Sequence, residues 1–207
     1  MSQAPGLVCI LDYGAGNVRS VRNLVAAVAP DVVVSNDPVD IRRATHLVLP
    51  GVGAFGSAME KISAALPIEM LQEVVANGKP FLGICVGMQV LATTGLEFGV
   101  HRGLGWIPGT TRLLDSGGKS LPHTGWNNLT LTRPSPLTAG FDDEPDVYFV
   151  HSYVFVPDDP GVILACATHG ETFAAIVQHR NIVGVQFHPE KSQHAGIRFM
   201  RNFLGMT

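Results

Sequence analysis

The sequence predicts an α/β fold, an open and mostly parallel central sheet with helices on both faces, joined by further antiparallel strands from the second half of the chain. Two patterns predict it. In the first half, short continuous apolar runs alternate with segments whose apolar residues recur at helical spacing. In the second half, β-rich runs follow one another between Pro, Gly and Asp. A chain of 207 residues is long enough to bury one full core, so residues 1–207 are expected to form a single domain.

Leu7 to Leu11 is the kind of apolar run that a parallel strand buried on both faces requires. Val18, Val21, Leu24, Val25 and Val28 follow at helical spacing and complete a strand–helix unit. Val32-Val33-Val34 and His46-Leu47-Val48-Leu49 are the next strands, the second stopped by Pro50-Gly51-Val52-Gly53. Helices are predicted from about Ser57 to Leu66 and from Pro67 to Asn77, with Gly78 as the C-terminal cap. Phe81 to Ile84 is a central strand, and Val86 to Thr93 the helix after it.

Farther on, Leu129 to Leu131, Val147 to Phe155, Val162 to Ala167, Phe173 to Val177 and Ile182 to Phe187 are predicted strands, some of them antiparallel. Asp115-Ser116-Gly117-Gly118-Lys119 is expected at a hairpin tip. The chain closes on an amphipathic helix from about Ser192 to Leu204, with Ile197, Met200, Phe203 and Leu204 on one side and Arg198, Arg201 and Asn202 on the other.

Composition narrows the function classes. With 46% hydrophobic residues, 15% charged and a net charge of −3, the chain lacks a basic face for nucleic acid or a polybasic membrane patch. No stretch approaches the ~20 apolar residues of a membrane span, and no signal-type segment opens the sequence, so a cytoplasmic location is expected. Its three cysteines suit neither a disulfide framework nor a paired-cysteine zinc pattern. None of the eight histidines falls in a His-Glu-x-x-His arrangement, so no metal is expected. No cofactor is expected either: Gly14-Ala15-Gly16-Asn17 lacks the third glycine of a dinucleotide fingerprint, and no phosphate-binding Gly-Lys-Ser/Thr occurs.

Chemistry concentrates at Cys85. Cys9 and Cys166 sit in apolar runs and read as strand-core residues, whereas Cys85 is flanked in Gly83-Ile84-Cys85-Val86-Gly87 by glycines that pack nothing in a mid-strand position. The pattern is that of a nucleophile elbow, a sharp strand-to-helix turn that lifts the side chain clear of the sheet. Val185-Gln186-Phe187-His188-Pro189-Glu190 supplies a base and its orienter, because residues two apart in an extended strand project to the same side at roughly 7 Å. Cys85, His188 and Glu190 thus form a chemically complete nucleophile–base–orienter set. Gly51, Val52 and Gly53 are candidate backbone donors for an oxyanion, an ordinary strand-end turn being the other reading. Trp126 and Tyr148 fit core positions as well as exposed ones.

Gly83-Ile84-Cys85-Val86-Gly87-Met88-Gln89, Pro50-Gly51-Val52-Gly53 and Gly184-Val185-Gln186-Phe187-His188-Pro189-Glu190 together resemble the class I (triad) glutamine amidotransferases, over nearly the whole chain. Within that family, Asp12-Tyr13-Gly14-Ala15-Gly16-Asn17, Gly125-Trp126-Asn127, Tyr148-Phe149-Val150-His151-Ser152-Tyr153 and Pro189-Glu190-Lys191-Ser192-Gln193 resemble the glutaminase subunits of imidazole glycerol phosphate synthases. The resemblance implies a flavodoxin-like fold and hydrolysis of the glutamine side-chain amide through a Cys85 thioester, with His188 moving protons and Glu190 holding the imidazole. It implies that Gly51 to Gly53 match the oxyanion strand, that Gln89, Glu97, Ser152 and Tyr153 contact glutamine, and that Asn17, Trp126, Tyr148 and Lys191 face a TIM-barrel cyclase subunit that receives the ammonia. Val86 and Val90 stand where leucine is commoner, and Thr124 where methionine is. Two other readings remain at this stage, a stand-alone cysteine (γ-glutamyl) hydrolase and a non-catalytic scaffold subunit.

Overall fold

The computed structural model describes residues 6–141 and 145–206. In chain order the elements are β1 (Val8–Leu11), α1 (Val18–Ala26), β2 (Val32–Ser35), α2 (Pro38–Arg43), β3 (His46–Gly51), α3 (Phe55–Ala65), α4 (Ile68–Ala76), β4 (Phe81–Cys85) and α5 (Val86–Gln89). There follow β5 (Thr94–Gly95), β6 (His101–Arg102), β7 (Gly109–Leu113), β8 (His123–Asn128), β9 (Thr130–Leu131), β10 (Asp146–His151), β11 (Tyr153–Pro157), β12 (Ile163–His169), β13 (Glu171–His179), β14 (Ile182–Val185) and α6 (Gln193–Leu204).

Among the described residues the main sheet has eight strands in the order β2-β1-β3-β4-β14-β13-β12-β9. From β2 to β14 every pairing is parallel, and from β14 to β9 every pairing is antiparallel. The apolar runs explain this. Every residue of β1, β3, β4 and β14 is buried, which demands cover on both faces and suits the centre of a parallel sheet. Each fully buried Val, Leu or Ile there contributes about 1.5–3 kcal/mol through its removal from water. A smaller sheet, β11-β7-β5-β6, and the pair β10-β8 stand apart from it.

Several expectations hold closely. The helix over 68–76 ends with Gly78 at φ +99°, its N–H bonded to the Val75 carbonyl at 3.0 Å and that of Lys79 to Val74 at 3.1 Å. Cys9 is fully buried in β1, whereas Cys166, expected in the core, is only half-buried in β12. In α6 the buried face carries Phe199 together with Met200, Phe203 and Leu204, and Ile197 lies at its margin.

Other expectations are corrected. The helix after Cys85 ends at Gln89, well short of Thr93. Residues 103–107 displace its continuation, since Leu104, Ile107, Gly105 and Gly103 donate to the carbonyls of Val90, Leu91, Ala92 and Thr93. The run from Val147 to Phe155 is two strands broken at Ser152: β10 pairs with β8, and β11 with β7 in another sheet. Asp115–Lys119 is accordingly no hairpin tip, because it joins β7 to β8, which are not paired with each other. The strand expected to Phe187 stops at Val185, where the Gln186 and His188 N–H groups turn to the carbonyls of Ala175 and Tyr148. Helix α2 went unpredicted because it buries only Ile41; its start is nevertheless marked by Asp37, which accepts from the Val39 N–H at 2.7 Å, and by Pro38 in the first turn.

One approach fixes the centre of the sheet. A Cβ on Gly87 would run into the Leu49 carbonyl oxygen, and one on Gly83 into the carbonyl of Gly87. A Gly87→Ala variant is therefore expected to lose ~2 kcal/mol or more of stability to overpacking, measured by chemical denaturation.

Candidate active site

Strand β4 ends on Cys85, whose backbone takes φ 56°, ψ −113°. Such a conformation is costly for a non-glycine residue and persists only where its surroundings enforce it. Here the enforcement is the glycine contact just described, which brings the first turn of α5 hard against β3, with Gly51 beside Cys85 in the parallel ladder. The strain turns Sγ out of the sheet. The sulfur lies 3.8 Å from the Val150 carbonyl and accepts from Gln186 Nε2 at 3.7 Å.

His188 leaves the sheet just beyond β14. Its N–H donates to the Tyr148 carbonyl at 2.9 Å, and its carbonyl accepts from Ser192 Oγ at 2.7 Å. Its ring Nδ1 lies 2.8 Å from Glu190 Oε1, in a pair whose side chains are 5% and 1% exposed. The contact predicted from strand geometry forms by another route: Pro189–Lys191 is a turn of 3-10 helix, and it is this turn that folds the carboxylate back. Burial is the largest influence on the imidazole and pushes its pKa down, but the Cys85 sulfur and the Glu190 carboxylate outweigh it and hold the ring up at about 9. Nε2 of His188 is buried without a hydrogen-bond partner, as is Oε2 of Glu190.

Cys85 and His188 open on a cavity of about 600 Å³, in the size range of small-molecule sites. Val52, Gly53, Gln89, Glu97, Ser152 and Tyr153 line it, whereas Gly51, also expected in the oxyanion segment, stays in the strand ladder beside Cys85, packed against Val86 and Gly87, and does not line the cavity. Gln89 Nε2 donates to the Tyr153 carbonyl at 2.8 Å and to Gln186 Oε1 at 3.1 Å, which ties three sides of the cavity together. Glu97 has a second task. Its Oε2 accepts from the Phe55 N–H at 2.7 Å, capping α3 where Ala54 offers no side-chain oxygen. Beside the oxyanion segment, Tyr13 keeps a buried hydroxyl with no hydrogen-bond partner. Burial pushes its pKa up to about 12, Cys85 adds to the rise, and the Val52 N–H opposes it.

Of the four residues expected to face a partner, Trp126, which lines a separate pocket, and Tyr148 stand outside the lining of the cavity, and the other two border the cavity. Asn17 and Lys191 line it, and Asn17 Nδ2 donates to Glu190 Oε1 at 3.2 Å. Trp126 and Tyr148 are cross-strand partners in β8 and β10, their rings edge to face at 5.9 Å, and Lys191 Nζ lies 5.3 Å from the Tyr148 ring centre. Trp126 is 48% exposed and so is no core residue, whereas Tyr148 is half-buried. Gln186, by contrast, received no role from the sequence. It is fully buried and bridges Gln89 to Cys85, and its one signal was a polar amide inside the apolar run Val185-Gln186-Phe187.

Residues 9–206 match the protein family described as glutamine amidotransferase class-I. A relative from Zymomonas mobilis named imidazole glycerol phosphate synthase subunit HisH is 47% identical over 212 residues, covering 98% of this chain and 97% of its own. One of the same name from Syntrophotalea carbinolica is 45% identical over 206 residues, covering 97% of this chain and 100% of its own. Among solved structures, PurLQS from Thermotoga maritima aligns with a TM-score of 0.74 at 20% identity, over 97% of this chain and 98% of that one. That likeness concerns the fold.

The His188 environment sets a pH dependence. A histidine pKa raised from 6.5 to about 9 contributes stability that is fully present below 6.5 and lost as pH rises through about 9. Glu190→Gln removes one of the two groups that raise it, so NMR titration of the His188 ring is expected to show a lower pKa in this variant, and its loss of stability above neutral pH is expected to flatten.

Proposed function

Because the chain belongs to the class I glutamine amidotransferase family, we propose that it is the glutaminase subunit of an imidazole glycerol phosphate synthase, acting in histidine biosynthesis. The observation that carries this reading is the identity of 43–47% with relatives bearing that subunit's name, over nearly the whole length of both chains. The Cys85–His188–Glu190 geometry supports it by supplying the chemistry that glutamine hydrolysis needs.

In this reading Cys85 Sγ attacks the side-chain carbonyl carbon of glutamine. The charge that develops on the oxygen is met by backbone N–H groups of the Val52–Gly53 segment and of Val86, the residue after the nucleophile, all of which border the cavity. His188 passes its proton to the departing nitrogen, so ammonia leaves and a glutamyl thioester remains. It then takes a proton from the water that attacks the thioester, which releases glutamate and restores the thiol. Glu190 fixes the tautomer throughout and stabilises the imidazolium. Gln89, Glu97, Ser152 and Tyr153 hold the substrate, with Gln186 fixing Gln89 against the sulfur.

Ammonia released into bulk water would be protonated and lost as a nucleophile. Asn17 and Lys191 border the cavity, Lys191 lies over the Tyr148 ring and Tyr148 packs on Trp126. We assign this patch to a TIM-barrel cyclase subunit that covers it in a heterodimer and combines the ammonia with a phosphoribulosyl-formimino nucleotide to yield imidazole glycerol phosphate and an aminoimidazole carboxamide ribotide. The Asn17–Glu190 hydrogen bond gives the partner a route to the triad, since a contact on Asn17 acts on the carboxylate that positions His188. The Val52 N–H, near enough to Tyr13 to act on its ionisation, is a second point at which binding could turn the oxyanion peptide. No cofactor enters these steps, one domain spanning residues 1–207 carries them, and the three free cysteines suit the cytoplasm.

The deciding experiment measures glutamate release by the purified chain alone and with the cyclase subunit and its nucleotide substrate. A negligible rate alone that rises by orders of magnitude in the complex is expected. Brisk turnover without the partner would replace this reading with a stand-alone γ-glutamyl hydrolase, and none in either state with a scaffold. Cys85→Ala is expected to abolish glutamine-dependent synthesis while sparing ammonia-dependent synthesis. Tyr148→Ala is expected to weaken both assembly and partner-stimulated glutaminase activity, checked by titration calorimetry and the same assay.

A further inference from the structure

Behind the break at Ser152 stands a histidine cluster that the mechanism does not use. His123 opens β8, His151 closes β10 as its cross-strand partner, and His169 ends β12. The His123 ring stacks between His169 at 4.2 Å and Phe149 at 4.9 Å, and His151 meets Phe173 edge-on at 4.9 Å. Among the described residues no group of three or more His, Cys, Asp or Glu is arranged to hold a metal ion. The ring nitrogens of His123 and His151 are engaged with one another instead.

Hydrogen-bond chemistry fixes every proton in this chain. The Tyr153 carbonyl only accepts, so His151 Nδ1, 3.0 Å away, carries the hydrogen and donates. In a neutral ring this leaves His151 Nε2 as an acceptor, which obliges His123 Nδ1, at 3.0 Å, to donate to it. His123 Nε2 then accepts from Asn127 Nδ2 at 3.2 Å. The Asn127 amide is oriented independently, since its nitrogen also donates to the Thr168 carbonyl at 3.0 Å and its oxygen accepts from the Asn128 N–H at 2.9 Å. A proton added to either ring would bring two donors face to face. Burial chiefly, with His169 and Lys119 acting on His123 and with His123, His169 and His188 acting on His151, pushes the two pKa values down to about 4 and about 3, so both rings are neutral across the physiological range.

The end of this chain is the cavity wall. His151 is the last residue of β10 and Tyr153 the first of β11, so the His151–Tyr153 bond spans the one-residue hinge between two sheets. The same carbonyl also accepts from Gln89 Nε2 at 2.8 Å. With both its lone pairs taken, the peptide cannot rotate without orphaning buried donors. We propose that Asn127, His123 and His151 form a positioning chain for glutamine, which sets the Ser152–Tyr153 wall of the cavity from β8, the strand that also presents Trp126. The proposal rests on reading this cavity as the glutamine site.

Steady-state glutaminase kinetics of the complete complex test it. His123→Phe keeps the stacking but removes the donor to His151, and is expected to raise KM for glutamine about tenfold with kcat within about threefold, the signature of lost substrate positioning. Alkylation of Cys85 by iodoacetamide, which needs no glutamine recognition, is expected to proceed at the wild-type rate. His123→Asn places an amide N–H where Nδ1–H was and is expected to recover most of the KM. A wild-type KM in His123→Phe, or equal impairment in His123→Asn, overturns the proposal. NMR of the imidazole nitrogens in the wild-type chain provides a check that no variant's folding can obscure: both rings are expected as neutral Nδ1–H tautomers at about pH 6, and an Nε2–H tautomer or a charged ring at either position overturns it. Absence of glutamine turnover by the wild-type complex would instead sink the glutaminase reading, and the glutamine role with it.

Discussion

The contact of peptide backbone on peptide backbone between Gly87 and the end of β3 governs the rest of the site. Parallel strands buried on both faces leave chemistry only at their ends, and β1, β3, β4 and β14 all end on the same edge. At that edge the turn after Cys85 must pass so close to the Leu49 carbonyl that no side chain fits between them. This closeness lets Cys85 hold a conformation that would otherwise relax, and it sets the sulfur and the Val86 N–H on one side of the cavity. It also puts Gly51 in register with Cys85, so the candidate oxyanion segment Gly51–Gly53 starts at the nucleophile's own ladder partner, and its cavity-lining residues Val52 and Gly53 follow directly.

Electrostatics at His188 is a contest between burial and pairing. A buried imidazole alone would be neutral and a poor proton donor to a departing amine. Two neighbours, the Cys85 sulfur and the Glu190 carboxylate, reverse the balance. The same burial, without anionic neighbours, leaves His123 and His151 neutral. Histidines in one small region are thereby divided between a proton carrier and fixed hydrogen-bonding struts by what faces their second nitrogen. Glu190 is the deciding group, and Asn17 shares its Oε1, so the charge that makes His188 a proton carrier lies within reach of the cavity mouth.

The parallel half of the fold was legible because its signal is strong. Strands buried on both faces read as unbroken apolar runs, and glycines around Cys85 have no packing reason to be there. The second half was less legible, since β7 and β8 are half-exposed strands rich in Thr, Gly and Asn, and the break at Ser152 is marked only by the polar pair His151-Ser152 within an otherwise apolar run. The triad could be read from residue types and spacing, though its geometry arises from a 3-10 turn where an extended strand was expected. Gln186 was not readable because its partners Cys85 and Gln89 come from the parallel neighbour β4 and the helix after it, and the His123–His151 pair was not because only the antiparallel register of β8 and β10 brings the two rings together.

The cavity therefore joins two differently built halves. Its nucleophile and base come from the rigid parallel sheet, whose strands are covered on both faces and whose turns are locked by backbone contact. Its opposite wall, Ser152 and Tyr153, comes from a one-residue hinge between two small sheets, one of which carries Trp126 and Tyr148. On the proposed interface, a partner seated on those aromatics cannot shift the Cys85 turn without breaking the backbone contacts at Gly83 and Gly87. It can shift the hinge through β8 and β10, and the triad through Asn17, at far lower cost. In the proposed reading, then, the chemistry is built where backbone packs directly on backbone, and the partner acts where a single residue joins two sheets.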